Sequence, residues 1–169
     1  MSSKSGKLLK EIANIIIIII IAYAITEGIQ LIARQALKVE TPFVVVASSS
    51  MEPTLNIGDM LVVQGANPRE LKVGDIVVFK PPSPYWKGIP WVHRIVEIRV
   101  INNDIKFKTK GDANAFPDPF WISEEEIIGK VVFRIPYIGL VSLTLKGWTI
   151  PAILAIILLS IAITLYSKE

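Results

Sequence analysis

FVVVASSSMEPTL, residues 43–55, joins an apolar run to a serine cluster and an abrupt turn. The run Phe43 to Ala47 predicts a strand. Pro53 fixes its own φ and biases Glu52 toward extended geometry, so the chain must turn beside the serines. Such a turn holds a hydroxyl at the rim of a sheet, where a nucleophile is accessible. The chain contains a single histidine, His93, so a serine that needs an imidazole base has one candidate.

The composition favours a small membrane protein without a metal. Of 169 residues, 51% are hydrophobic, which is high for a soluble globular domain. The net charge of +3 is modest and the basic residues do not cluster among aromatics, so no nucleic-acid partner is expected. The absence of cysteine excludes disulfides, iron–sulfur clusters and thiol catalysis, and with one histidine a zinc site would need several carboxylates. No metal and no cofactor is therefore predicted.

An N-terminal membrane anchor is predicted in the segment that follows the first lysines. The run Ile12 to Thr26 carries no charge, but as a helix it spans only about 22 Å of a roughly 30 Å hydrocarbon core. Extension to Ala33 supplies the missing length. A cleavable signal peptide is the alternative, with Ala22-Tyr23-Ala24 as a small-x-small site. The apolar residues that continue to Ile32 favour a retained anchor.

A second membrane helix is predicted at the C-terminal end, where residues 147–167 are free of charge and long enough to span. The alternative is a buried amphipathic helix, but the segment shows no polar face. Three lysines precede the first span, which favours a cytoplasmic N-terminus. Two spans then divide the chain into a tail with its anchor at 1–35, an extracytoplasmic domain at 36–140 and a C-terminal helix at 141–169.

The central domain is predicted to be mainly β. Strand patterns stand at Thr41–Ala47, Met60–Gln64, Ile76–Lys80, Trp91–Val100, Ile105–Thr109 and Ile127–Arg134. Gly58-Asp59, Gly74-Asp75 and Asn102-Asn103-Asp104 supply turns between them, and Ser123–Glu126 can begin a short helical turn. The proline-rich segment Pro81–Pro90 is expected to be a loop, because proline cannot donate to a sheet.

Serine, histidine and aspartate recur in a pattern that suits nucleophilic catalysis. A serine hydroxyl attacks when a base takes its proton, and histidine does this near neutral pH when a third group holds its tautomer. The candidates are the serines at 48–50, His93, and the segment Lys110–Asp118 with its aspartates. Spacing alone leaves two alternatives open. In the first, His93 is an ordinary strand residue without a catalytic role. In the second, a lysine, Lys80 or Lys110, is the base of a Ser–Lys dyad.

Five short blocks resemble type I signal peptidases, in the order in which that family has them. They are Ser48-Ser49-Ser50-Met51-Glu52-Pro53-Thr54, Gly58-Asp59, Val73-Gly74-Asp75-Ile76-Val77, His93-Arg94 and Lys110-Gly111-Asp112-Ala113-Asn114. The histidine block is similar to the archaeal and endoplasmic-reticulum branch, in which histidine replaces the lysine base of bacterial enzymes. The resemblance implies a signal-peptidase-like β catalytic domain, flanked by transmembrane helices, that cuts signal peptides at the outer face of the membrane.

The same resemblance implies a role for each site residue. Ser50, immediately before the methionine, falls on the nucleophile, and His93 falls on the general base. Asp118 matches the third member of the triad and Asp112 matches a second, supporting acid, so either aspartate is a candidate for orienting the imidazole. The Ser48 hydroxyl matches a group that stabilises the oxyanion together with the Ser50 amide.

Two features stay open after the resemblance is drawn. The commoner Ser-Gly-Ser-Met pattern has glycine where this chain has Ser49, so the sequence does not say whether the backbone there needs a positive φ. Trp86 and Trp91 stand in or beside the proline-rich loop. They are either core aromatics or, as the family suggests, residues that contact lipid headgroups.

The expected partners are signal peptides of preproteins, the lipid membrane and subunits of a secretory complex. The substrate is expected to add as a strand beside Thr41–Ala47, with shallow apolar pockets for small residues. Two rival functions are a non-catalytic, membrane-tethered β domain that recruits partners and a self-cleaving Ser–Lys protein. The combination of Ser50, His93 and Asp118 disfavours the first rival, and the membrane spans together with His93 disfavour the second.

Overall fold

The computed structural model describes residues 2–144, which belong to two compact units, Met1–Pro42 and Phe43–Glu169. The first unit contains one long helix, α1 (Ser2–Leu37). Its segment Ala13–Leu37 is long and apolar enough to cross a membrane, judged by length and composition. The predicted C-terminal membrane helix, residues 147–167, lies outside the described residues.

The second unit is mainly β, as predicted. Seven strands form one sheet: β1 (Phe43–Val45), β2 (Met60–Gln64), β3 (Ile76–Phe79), β4 (Trp91–Ile101), β5 (Asp104–Lys110), β6 (Ile122–Ser123) and β7 (Ile127–Ile135). Their order is β1-β2-β7-β3-β4-β5-β6, and every neighbouring pair is antiparallel. A short helix, α2 (Leu140–Thr144), follows β7.

Six of the seven strands were predicted, with bounds that differ by a few residues at the ends. The two-residue β6 was missed because it is too short to show an alternating pattern. The predicted helical turn beside it exists as a 3₁₀ turn, Glu124–Glu126, which is held by the Ser123 N–H and hydroxyl on the Glu126 carboxylate. The proline-rich segment Pro81–Pro90 carries no strand, as expected.

The β4–β5 hairpin turns at Asn102 and Asn103, whose φ angles are 52° and 70°. Two successive residues with positive φ are what a tight two-residue hairpin requires, and asparagine tolerates this conformation better than most residues. The predicted turn at Asn102-Asn103-Asp104 is therefore confirmed.

Strand alternation explains which side chains of β4 and β5 reach the interior. Ile95 of β4 and Phe107 of β5 are fully buried in the apolar core. His93 and Thr109 stand two residues from these positions, on the same face of each strand, and both are buried. Arg94 is adjacent to His93 and therefore points to the opposite face. The alternation of β4 thus places the His93 side chain in the interior of the domain.

Candidate active site

Ser50 lies in a tight turn immediately beyond β1. Ser48 is extended, with φ −138° and ψ 161°, and residues Ser49–Met51 form a 3₁₀ turn that ends at an extended Glu52. Met51 is 1% exposed and anchors the turn in the core. Ser49 does not have a positive φ, so this turn accepts a serine at the position where the commoner pattern has glycine.

His93 faces Ser50 from the inner side of the sheet. Its Nε2 lies 3.3 Å from Oγ of Ser50. The ring packs against two aromatic side chains, with centroid distances of 6.1 Å to Phe79 and 5.6 Å to Trp91. These contacts form one side of the imidazole's environment.

Asp118 contacts the other nitrogen of the same imidazole. Its Oδ2 lies 2.7 Å from Nδ1 of His93, and both side chains are largely excluded from solvent. An ionised carboxylate only accepts hydrogen bonds, so Nδ1 carries the proton and Nε2 is left as an acceptor for the Ser50 hydroxyl. Serine, histidine and aspartate are therefore joined in the order that proton transfer from the serine requires.

Asp112 makes a different contact. Its two carboxylate oxygens accept from Nε and a terminal nitrogen of Arg94, at 2.9 and 2.6 Å. The hydrogen bonds to Arg94 hold the pKa of the Asp112 carboxyl below its ordinary value, against the opposing effect of burial, and they raise the pKa of Arg94. Arg94 also donates to the Gly74 carbonyl at 2.8 Å. Arg94 thus joins β4, the loop that carries Asp112 and the segment at Gly74. Asp112 itself makes no hydrogen bond to His93.

Gly111 explains why the loop after β5 can approach the nucleophile. A Cβ at this position would come within 2.6 Å of the Ser50 carbonyl oxygen and 2.7 Å of Nδ2 of Asn114. The same carbonyl accepts from the Ala113 N–H at 2.9 Å. The loop after β5 is therefore hydrogen-bonded to the backbone of Ser50, the candidate nucleophile. Only glycine at position 111 leaves room for this close approach.

Ser48 is the second hydroxyl at the site. Its Oγ lies 3.2 Å from Oγ of Ser50. Because the Ser50 proton is directed to His93, the hydrogen bond between the two hydroxyls has Ser48 as donor. A hydroxyl donor this close to the nucleophile stands near the position where the oxyanion of a tetrahedral intermediate would form.

Neither candidate lysine base makes a hydrogen bond to Ser50 within the described part of the chain. Lys80 is exposed just beyond β3, and Lys110 stands opposite Arg94 at the end of β5. Among residues 2–144, no group of three or more histidine, cysteine, aspartate or glutamate side chains could hold a metal ion.

An open cleft of about 1360 Å³ contains Ser50 and His93 in its wall. Val44 and Ala47 line it on the side of β1, Trp91 on the side of β4, and Phe116 on the loop after β5. Its lining is mainly apolar around these few polar groups, an arrangement typical of a ligand-binding site. Trp91 also packs against the core at Phe79, whereas Trp86 is 41% exposed.

Two further residues of the site were not predicted from the sequence. Thr109 donates to Asp118 through Oγ1, and Arg94 holds Asp112. Thr109 could have been noticed as a polar residue in the alternation of Ile105, Phe107 and Thr109, where the other two positions point to the core. Arg94 belongs to the His93-Arg94 block of the resemblance, but the sequence assigned it no role, because its contact with Asp112 depends on the fold.

Comparison with known proteins gives one family. A family model described as signal peptidase, peptidase S26, matches residues 9–99, which include Ser50 and His93 and end before Asp112 and Asp118. The signal peptidase complex catalytic subunit SEC11C of Homo sapiens is 32% identical over 146 residues, 82% of this chain and 72% of that protein. The SEC11 subunits of Chaetomium globosum and Verticillium alfalfae are 34% and 35% identical, over 80% of each chain.

Proposed function

The chain belongs to the signal peptidase family, peptidase S26, and is a serine endopeptidase that removes signal peptides; we propose that Ser50, His93 and Asp118 are its catalytic triad. One observation carries this assignment. Nε2 of His93 lies 3.3 Å from the Ser50 hydroxyl, while Nδ1 of the same ring lies 2.7 Å from Asp118.

The reaction follows from these contacts. Ser50 Oγ attacks the scissile carbonyl as its proton passes to Nε2 of His93, and the imidazolium then gives that proton to the leaving amine. Asp118 holds the ring with Nδ1 protonated and stabilises the imidazolium. A water molecule, activated by the same imidazole, hydrolyses the acyl-enzyme and frees Ser50.

Ser48 is proposed to stabilise the oxyanion together with the Ser50 amide. Its hydroxyl stands 3.2 Å from the nucleophile, within reach of an oxygen that becomes negative next to Ser50. Loss of one such donor raises the barrier by roughly 3–4 kcal/mol in comparable sites. Ser48 then contributes to kcat more than to substrate affinity.

The substrate is proposed to bind as an extra strand on β1. This strand is the outer member of the sheet and pairs with β2 on one side only. The Val46 N–H donates to the Asp59 carbonyl, on the side of β2, so alternation directs the amide and carbonyl of Val45 to the other side. A peptide paired with β1 runs directly toward Ser50, and small residues near its scissile bond fit beside Val44 and Ala47.

The chain is proposed to span the membrane twice, with a tail and anchor at 1–35, an extracytoplasmic catalytic domain at 36–140 and a C-terminal helix at 141–169. The apolar helix α1 and the lysines that precede its apolar segment support this topology. Anchoring confines enzyme and preprotein to one surface and raises their effective concentration. Because relatives are named as subunits of a signal peptidase complex, further subunits are proposed partners.

The activity is tested with the full chain in detergent and a model preprotein that carries an Ala-x-Ala site. Wild type is expected to cut once, after the second alanine, and N-terminal sequencing of the product locates the cut. Cleavage elsewhere would exclude the proposed pockets for small residues. The assay is repeated in native membranes, which keep any partner subunits. If the folded enzyme does not cleave the preprotein there either, the activity is contradicted.

The topology is tested by single cysteines, since the chain has none of its own. Asp104→Cys, at the exposed start of β5, is expected to react with a membrane-impermeant maleimide on intact cells. Ser3→Cys and Lys168→Cys are expected to react after permeabilisation only. Labelling of Lys168→Cys on intact cells would exclude the second span.

A further inference from the structure

Thr109 is the second hydrogen-bond donor to Asp118. Its Oγ1 lies 2.6 Å from Oδ2 of Asp118, the same oxygen that accepts from Nδ1 of His93 at 2.7 Å. A carboxylate oxygen has two lone pairs, and these two donors occupy both. The hydroxyl must be the donor, because an ionised carboxylate has no proton to give.

The two residues are also joined through the backbone. The Asp118 N–H donates to the Thr109 carbonyl at 2.8 Å. The loop of residues 111–117 follows the end of β5, and Asp118 closes it by this hydrogen bond to Thr109. Side chain and backbone together fix both the position of the Asp118 carboxylate and its rotation.

Burial indicates that Thr109 acts on the reaction through Asp118. Thr109 is 0% exposed and is not part of the cleft wall. Its χ1 is restricted because the residue is β-branched, and the hydrogen bond to Asp118 selects the position of the hydroxyl. Thr109 stands where the alternation of β5 would suit an apolar residue, and its hydroxyl requires a partner when it is buried.

We propose that Thr109 is a positioning residue of the catalytic site, which orients Asp118 and partly neutralises the oxygen that holds His93; this proposal rests on the proposed function. The hydroxyl limits the rotation of the carboxylate, and the hydrogen bond from Nδ1 to Oδ2 holds Asp118 beside His93 when the hydroxyl is absent. The hydroxyl also offsets part of the negative charge on Oδ2. The Asp118 carboxylate then stabilises the imidazolium enough for it to form, and the imidazolium can still give its proton to the leaving amine.

The test compares Thr109→Val with Thr109→Ser in the full chain. Valine keeps the shape and removes the donor, whereas serine keeps the donor. Ser123→Ala is the matched control, because it removes another hydroxyl–carboxylate hydrogen bond, from Ser123 to Glu126 at 2.9 Å, outside the site. Cleavage of a model preprotein gives kcat, KM and the pH–rate profile for each variant.

Thr109→Val is expected to lower kcat about ten-fold, the effect of one hydrogen bond to a charged group, with KM unchanged. Its acid limb is expected to move to higher pH, because the less neutralised carboxylate favours the protonated imidazole. Thr109→Ser and Ser123→Ala are expected to resemble wild type. Wild-type kcat and an unmoved acid limb in Thr109→Val would overturn the proposal, and so would equal losses in the valine and serine variants.

A measurement without substrate separates this proposal from the proposed function. Because His93 is the single histidine, ¹⁵N-histidine labelling gives NMR signals from one imidazole. The titration of that imidazole is expected to move to higher pH in Thr109→Val and to stay unchanged in Ser123→Ala. Identical titrations in wild type and Thr109→Val would overturn the role of Thr109, whereas loss of cleavage by wild type would overturn the function alone.

Discussion

Oδ2 of Asp118 lies 2.7 Å from Nδ1 of His93, and the two side chains are only 5% and 7% exposed. Asp112, six positions earlier, is instead bound to Arg94 on the opposite face of β4. The two aspartates of one short loop therefore have different structural partners. Asp118 can hold the imidazole, whereas Asp112 holds the loop to neighbouring segments.

Replacement of the two aspartates by asparagine is expected to separate these roles. Asp118→Asn removes the acceptor that fixes the His93 tautomer, and kcat is expected to fall about 10⁴-fold, as in other triads. Asp112→Asn keeps that acceptor and is expected to retain measurable cleavage while losing stability. Preprotein cleavage and thermal unfolding of both variants check this difference. Equal loss of activity with equal stability would show that both carboxylates serve the imidazole.

The Arg94–Asp112 pair predicts a dependence of stability on pH. The pKa of Asp112 is lowered in the folded protein, so its contribution to stability is present above the unfolded value of about 3.9 and is lost as pH falls through the folded value. The free energy of unfolding of wild type is expected to exceed that of Asp112→Asn near neutral pH, and the difference is expected to shrink on acidification. Urea unfolding of both proteins over this pH range measures it. A difference that does not change with pH would show that the ion pair with Arg94 is not its cause.

Ser50→Ala is expected to abolish cleavage without a change in folding, because the Ser50 hydroxyl is the one aligned with Nε2 of His93. Ser49→Ala is the matched control, since Ser49 is an exposed neighbour that makes no side-chain hydrogen bond to His93. It is expected to cleave at nearly the wild-type rate. The two variants are compared by cleavage rate and by circular dichroism. If Ser50→Ala retained activity, Ser50 could not be the nucleophile.

Gly111→Ala is expected to reduce activity more than stability. The added methyl group would meet the Ser50 carbonyl at 2.6 Å, so either the loop or the serine turn must move. A shift of about 1 Å at the nucleophile lowers the rate about 10²-fold in comparable sites. Cleavage rate and thermal unfolding midpoint, measured together, check the prediction. A variant with full activity would show that the contact at Ser50 can relax without cost.

Much of the fold was predictable from the sequence because strand alternation and turn residues are local signals. Asn102 and Asn103 marked the hairpin, and the apolar runs marked six strands. The short β6 produced no such signal, since its pairing with β5 depends on tertiary contacts. The N-terminal helix was predicted from its apolar run, although it extends from Ser2 to Leu37.

The candidate site was predictable in its residue types but not in its connections. The blocks that resemble signal peptidases selected Ser48, Ser50, His93, Asp112 and Asp118. Sequence could not decide which aspartate faces His93, because the loop of residues 111–117 folds back and both aspartates stand near its ends. The contact between Thr109 and Asp118 joins residues nine positions apart across that loop, so it required the structure.

The pH–rate profile of wild type and Ser50→Ala, measured as kcat/KM for cleavage of one preprotein, tests the central claim most directly. A neutral imidazole at His93 must accept the Ser50 proton, so the wild-type rate is expected to fall on acidification and to reach a plateau near neutral pH. Ser50→Ala is expected to show no cleavage at any pH. A wild-type rate that rises only above about pH 9 would contradict the claim, because a lysine would then be the base.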